Sequence, residues 1–248
     1  MKKIIWIDVG THFGQEYSSI FGPNFNFYLR MIRRFIGASI FRRGKFINYN
    51  DLREFFFTRA RIRERHKNFH TIFVEANPKI AFTRKIYLMA DMVFNMAITN
   101  DSQPYPSVTK LYLGQGDELS QGSSVLIEKK NVHKDIYIAT LGVSSDIFFK
   151  QLYLYLNEKF SHYDVLLRLN CEGVEDDVIY SAHSNFGNNL KLICGSLKDV
   201  EEVKGLKASQ KLENFMKDKG LLFRKFHSRM DTWPKAHAAV LDLLASKR

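Results

Sequence analysis

Apolar residues along this chain fall in short runs separated by helix-length stretches. The first run, Ile4-Ile5-Trp6-Ile7, leads into Asp8-Val9-Gly10-Thr11-His12-Phe13-Gly14. An apolar run closed by glycine predicts a buried strand over 4–9, a tight turn, and a helix from Gly14 to about Ile20. Thr71-Ile72-Phe73-Val74-Glu75 predicts a second strand, and Pro78 suits the first turn of a helix over 78–89. Further strands are expected at 91–99, 108–113, 133–141, from Tyr163 into Asn170, at 189–194 and at 221–226. Helices are expected at 145–160, from Glu175 to about His183, at 206–219 and at 233–244. Alternating strands and helices imply an α/β fold, with a mostly parallel sheet and helices on both faces. No repeat or linker divides the chain, so 1–248 reads as one domain.

The rhythm breaks between Gly22 and His70. That stretch holds Arg30, Arg33, Arg34, Arg42, Arg43, Lys45, Arg53, Arg59, Arg61, Arg63, Arg65 and Lys67, against only Asp51, Glu54 and Glu64. Interleaved apolar residues suggest two helices, about 25–41 and 50–66, with Gly44 near the break. Three readings stay open for this basic, helical insertion. Its helices pack one face and hold arginines in water, or form a lid or docking surface for an anionic substrate or nucleic acid, or lie on a membrane surface.

Composition adds little beyond this. The formal charge is +11 and the pI about 9.5, a balance that favours acidic partners without choosing among them. No run reaches the ~18 apolar residues of a membrane span. The apolar start is too short for a signal peptide and lacks a small-residue cleavage site, so a cytoplasmic protein is expected. Cys171 and Cys194 each sit in apolar surroundings and read as buried free thiols.

Ligands of a parallel sheet lie beyond the carboxyl ends of its strands. Three polar clusters fall there: Asp8 to Gly14, Glu75 to Asn77, and Asn170 to Glu175. The first offers backbone donors and a glycine that permits close approach, or is an ordinary strand-turn. The second offers a carboxylate able to accept both hydroxyls of a ribose. The first motif is neither Gly-x-Gly-x-x-Gly nor a lysine-bearing phosphate loop, which disfavours a dinucleotide. His12 lies in the turn and could touch a cofactor or acceptor, or be a plain loop histidine. No His/Cys spacing supports zinc, and no metal is expected, although Glu172 and Glu175 leave one open as a minor alternative.

Trp6-Ile7-Asp8-Val9-Gly10-x-x-x-Gly14 resembles motif I of class I S-adenosylmethionine-dependent methyltransferases. Phe73-Val74-Glu75-Ala76-Asn77-Pro78 resembles the segment that follows it in the FkbM methyltransferase family. Ala97-Ile98, Leu111-Tyr112-Leu113 and Gly122-Ser123-Ser124 are similar to that family's middle pattern. Leu166-Leu167-Arg168-Leu169-Asn170-Cys171-Glu172-Gly173-Val174-Glu175 resembles its Leu-Leu-Lys-Ile-Asp-Val-Glu-Gly-x-Glu signature. The likeness covers about 4–20 and 71–195 and leaves out the basic insertion and most of the tail.

The resemblance implies a Rossmann-like class I methyltransferase sheet and S-adenosyl-L-methionine as cofactor. It implies that Asp8, Gly10 and Gly14 surround the methionine end, that Glu75 holds the ribose hydroxyls, that Asn95 to Ala97 lie near the adenine, and that Thr11, His12 and Ala76 are further cofactor-binding candidates. Methyl transfer to a hydroxyl of a sugar, glycan precursor or small metabolite is then expected. Asn170 stands where the family has aspartate, which leaves Glu172 or Glu175 to take the acceptor's proton. Glu172 reads equally as an acid that stabilises a helix start. An RNA acceptor held by the arginine-rich insertion, or a non-catalytic binding module, are the alternatives.

Overall fold

The computed structural model describes residues 2–23, 28–29, 32, 36, 49–100, 105–116, 119, 122–225 and 232–245. Most of the expected 25–41 helix and the break at Gly44 lie outside the described residues; positions 28, 29, 32 and 36 are helical.

The main sheet has six strands: β1 (Lys3–Val9), β2 (Phe69–Val74), β3 (Met92–Phe94), β7 (Tyr163–Leu169), β8 (Leu190–Gly195) and β9 (Leu222–Lys225). Their order is β3-β2-β1-β7-β8-β9 and every pairing is parallel. From β1 the chain steps outward to β2 and β3, then returns to lay β7 on β1's other side. The order therefore reverses between β1 and β7, which is where open α/β sheets leave a crevice for ligands.

Alternation along the strands divides the core in two. Ile5, Ile7 and Val9 of β1 face one side with Val165, Leu167 and Leu169 of β7. That side is covered by α5 (Ser145–Lys159), α6 (Glu175–Phe186) and α8 (Leu206–Asp218). Ile4 and Trp6 face the other side with Leu166, Leu192 and Cys194. It is covered by α1 (Gln15–Phe21), α2 (Tyr49–Glu64), α4 (Arg84–Tyr87) and α9 (Thr232–Ala245). Trp6 is fully buried, and side chains of this kind contribute about 2–3 kcal/mol each. The basic stretch thus contributes Ile62 of α2 to the core, as an amphipathic helix should.

Three sequence expectations change. The stretch 91–99 is two strands, not one: β3 belongs to the main sheet, while β4 (Ala97–Thr99) joins a separate sheet of order β4-β6-β5. There β6 (Val132–Ser144) pairs parallel with β4 and antiparallel with β5 (Ser107–Gly114). The switch between sheets is held by Asn95, whose Nδ2 donates to the Glu75 and Ala76 carbonyls at 2.8 and 3.3 Å. The expected helix over 78–89 is split into α3 (Pro78–Ala81) and α4, because Thr83 is extended between them. A short helix that the sequence reading lacks, α7 (Lys198–Lys204), precedes α8.

Candidate functional site

A narrow cleft opens at the carboxyl ends of β1, β2 and β7, with a cavity volume of about 70 Å³ and a mouth open to solvent. Val9, Gly10, His12, Glu75, Asn170 and Glu172 form its sheet side. Met96, Ala97, Ile98 and Leu111 form an apolar wall from the second sheet. Two carboxylates line it, and no lysine or arginine among the described residues does.

The turn after β1 is shaped by what it must fit against. Gly10 has φ +73°, and a Cβ there would stand 2.0 Å from the Asn170 carbonyl oxygen. Only glycine lets the two loops approach so closely. The Gly10 and Thr11 N–H groups donate to the Val74 carbonyl at 2.9 and 3.2 Å, and the Gly14 N–H donates to the Thr11 carbonyl at 3.0 Å. The His12 N–H donates to Glu75 Oε2 at 2.6 Å. The expectation that this turn offers backbone donors to a ligand is therefore corrected at these four positions. Their donors are consumed by the protein, so the turn is a bracket and not a phosphate cradle.

Glu75 is the cleft's anchored carboxylate. It is buried, and its two oxygens accept from the His12 and Asn77 N–H groups, the latter at 2.9 Å. Burial raises its carboxyl above the ordinary value, against the pull of those bonds. Each oxygen keeps a further lone pair for a ligand hydroxyl. His12 sits at φ +51°. Its Nε2 lies 2.9 Å from the Leu119 carbonyl, which can only accept, so Nε2 carries the proton. Burial lowers its pKa, so the ring is neutral near pH 7 with Nδ1 as the acceptor, facing Gln15 Nε2 at 3.4 Å.

The other loop places its carboxylates differently. Glu172 has φ +62°, a strained conformation for a residue with a side chain. It is held from every side. Its N–H donates to Glu175 Oε1 at 2.7 Å, its carbonyl accepts from Ser124 Oγ at 2.7 Å, and its Oε1 accepts from Asn170 Nδ2 at 3.3 Å. Its Oε2 is ion-paired with Lys129, a lysine only 1% exposed that also lies 3.0 Å from Asp199. Glu175 is fully buried, and its second oxygen accepts from the Gly173 N–H at 2.8 Å. Burial pushes its carboxyl up to about 7.

The structure thus sorts the expected site residues. Gly10, His12, Glu75, Ala76, Ala97, Asn170 and Glu172 line the cleft; Asp8, Thr11, Gly14, Asn95 and Glu175 do not. Asp8 lies beneath the turn on the opposite face, its Oδ1 3.0 Å from Arg168 Nη1. The same guanidinium reaches Glu16 at 3.0 Å and the Gly10 carbonyl at 2.7 Å. Burial pushes the Asp8 carboxyl up to about 7, against the attraction of Arg168. Thr11 is buried, its hydroxyl donating to the Asp8 carbonyl at 2.6 Å. Gly14 packs on Phe73 and Met89, and Asn95 is spent on the backbone after β2. Glu175 is withdrawn as a proton acceptor, since it is fully buried and does not reach the cleft.

Two charged neighbours of the site escape a sequence reading in different ways. Arg168 is a charge inside an apolar strand, facing the acid at the end of β1, and that conflict was the available signal. Lys129 stands in Glu128-Lys129-Lys130 and looks like a solvated charge run.

Comparison with protein-family models, curated proteins and solved structures finds no match to this chain.

Proposed function

We propose that this protein is an S-adenosyl-L-methionine-dependent O-methyltransferase acting on a hydroxyl of a sugar, glycan precursor or small metabolite. One observation carries the reading. The cleft at the strand-order reversal is lined by Glu75 and Glu172, has an apolar wall, and presents no lysine or arginine among the described residues. Among the described residues, a pyrophosphate would find there neither a cation nor the donors at 10, 11, 12 and 14. A sulfonium cofactor carries positive charge, a ribose diol and a flat base, and the donor set fits each of these. Glu75 would hold the diol, and Ala97, Ile98 and Leu111 would flank the base. Such a cofactor supplies an electrophilic methyl group when bound.

The chain's own groups supply position and proton handling. Glu172 Oε1 can accept an acceptor's hydroxyl proton, while Lys129 and Asn170 hold the carboxylate in place. A carboxylate is a weak base for an isolated hydroxyl, so orientation has to contribute much of the rate. Asn170, where aspartate is expected from the resemblance, offers Nδ2 as a donor and no charge.

Isothermal titration tests the cofactor. Binding of S-adenosylmethionine, and weaker binding of neutral S-adenosylhomocysteine, is the expected result; binding of neither overturns the reading. The full engagement of Glu172 by Lys129 favours one rival, a non-catalytic module that binds cofactor without turnover. Multiple-turnover methylation across a panel of glycans and hydroxylated metabolites excludes that rival.

A further inference from the structure

Between β2 and β3 the chain makes two single-turn helices, α3 and α4, at the rim of the cleft. Ile80, Ala81 and Ile86 are buried and fix the inner side of this segment. The side chains left outside are unusual for a water-facing surface. Phe82 is 62% exposed, Tyr87 51% and Leu88 74%. Exposed beside them are Lys79, Arg84 and Lys85, and no acidic residue occurs between Glu75 and Asp91. Large apolar side chains exposed singly need no explanation, but here three fall within seven residues of one short segment, interleaved with cations.

We propose that the segment 79–88 docks onto an anionic phospholipid membrane. Apolar tips surrounded by cations match the boundary between headgroups and acyl chains: the apolar groups enter, and the lysines and arginine pair with anionic headgroups. The charge is complementary along the whole segment. A nucleic acid is served less well, because Leu88, the most exposed of the three, has no face on which a base can stack.

Position ties the patch to the cleft. Asn77, which caps α3, and Ile80 within it line the cleft. Lys85 Nζ lies 5.7 Å from the centre of the Phe13 ring in the glycine turn, and Met89 packs against Gly14. A membrane bound at 79–88 therefore lies beside the cleft mouth. Where the methyltransferase reading holds, this narrows the acceptor to a hydroxyl presented from a membrane, such as a lipid-linked glycan or a lipid headgroup. The docking itself does not rest on that reading.

Co-sedimentation of the full chain with phosphatidylcholine vesicles, with and without phosphatidylglycerol, tests it. Binding is expected to vesicles containing phosphatidylglycerol, to weaken with salt, and to fall at least tenfold without the anionic lipid. Phe82→Ser with Leu88→Ser, and separately Arg84→Glu with Lys85→Glu, are each expected to weaken it about tenfold or more, with unchanged thermal midpoints. Absence of vesicle binding by the wild type overturns the proposal. So does undiminished binding by whichever pair keeps its thermal midpoint, or capture of single-stranded RNA in place of vesicles. Vesicle binding by a protein that fails to bind S-adenosylmethionine leaves docking intact and removes the methyltransferase reading instead.

Discussion

The turn after β1 and the loop after β7 touch one another. The Asn170 N–H donates to the Val9 carbonyl at 3.0 Å, and the missing side chain of Gly10 makes room for the Asn170 carbonyl. Both loops carry buried charge, yet they place it oppositely. Beneath the first turn, Asp8 and Glu16 share Arg168 on the face away from the cleft. In the second loop, Glu172 faces the cleft, with Lys129 behind it and Glu175 fastening the backbone. The same ingredients make a foundation in one loop and a poised side chain in the other. What decides is the side of the sheet: Asp8 and Arg168 share the Trp6 face, whereas Glu172 lies past the strand end, where the loop can turn into the crevice.

The largest effect should come from breaking the foundation. Arg168→Met leaves two buried carboxylates without their cation, and removing one partner of such a group costs about 3–5 kcal/mol. Urea unfolding at pH 8 measures this. Because burial already pushes Asp8 up to about 7, the deficit should shrink as acid neutralises it, and the variant should recover part of the loss by pH 5.5. A loss that does not change with pH would mean that packing, not charge, holds the turn.

Gly10→Ala comes next. It puts a side chain at φ +73° and 2.0 Å from a backbone oxygen, and a loss of roughly 2–4 kcal/mol is expected in the same assay. The two loops would have to separate, so the S-adenosylmethionine binding proposed above should also disappear in calorimetry. Retained binding would show that the close contact is not needed to shape the cleft.

Glu175 gives the second loop a pH signature. Its carboxyl is pushed from 4.5 up to about 7 in the folded protein. The folded state therefore holds this proton more tightly than the unfolded chain. The resulting stability is complete below the unfolded value near 4.5 and is lost as pH rises through about 7. Glu175→Gln lacks that proton. The gap between wild type and variant should widen by roughly 2–3 kcal/mol between pH 7.5 and 4.5, measured by chemical unfolding at a series of pH values. A constant gap would mean that the two N–H donors keep the carboxylate charged.

The contrast between the loops was only half legible in the sequence. The main sheet was readable because its strands are buried on both faces and appear as continuous apolar runs, as Ile4–Ile7 and Val165–Leu167 do. The second sheet was not. The alternation in β5 and β6 says that strands exist but not which neighbours they take, and no glycine or proline marks the switch at Asn95. The cleft's glycine, Glu75 and Glu172 were visible as strand-end residues. Their partners were not, since Lys129 lies 43 residues from Glu172 and only the fold brings them together. Asp8 was misplaced for a related reason: strand parity aims it at the Trp6 face, and the acid's place at a strand end hid that.

The smallest expected change in stability is also the sharpest test of what the second loop is for. Glu172→Gln keeps the side chain's shape and an oxygen toward Lys129, which retains Asp199 at 3.0 Å, so unfolding should shift by only about 1–2 kcal/mol. Binding should change in a directed way. If Glu172 faces the sulfonium region, removing its charge weakens S-adenosylmethionine more than neutral S-adenosylhomocysteine, by about threefold to tenfold for one charge at cleft distances. Glu75→Gln should act otherwise. A carboxylate that holds a diol serves both ligands, so both should weaken together, by about tenfold. Two titrations with each variant separate these outcomes without any knowledge of the acceptor. Were Glu172→Gln to leave the ratio untouched while Glu75→Gln altered it, the charge-sensing role would pass to the first loop's partner, and Glu172 would be left with the acceptor alone.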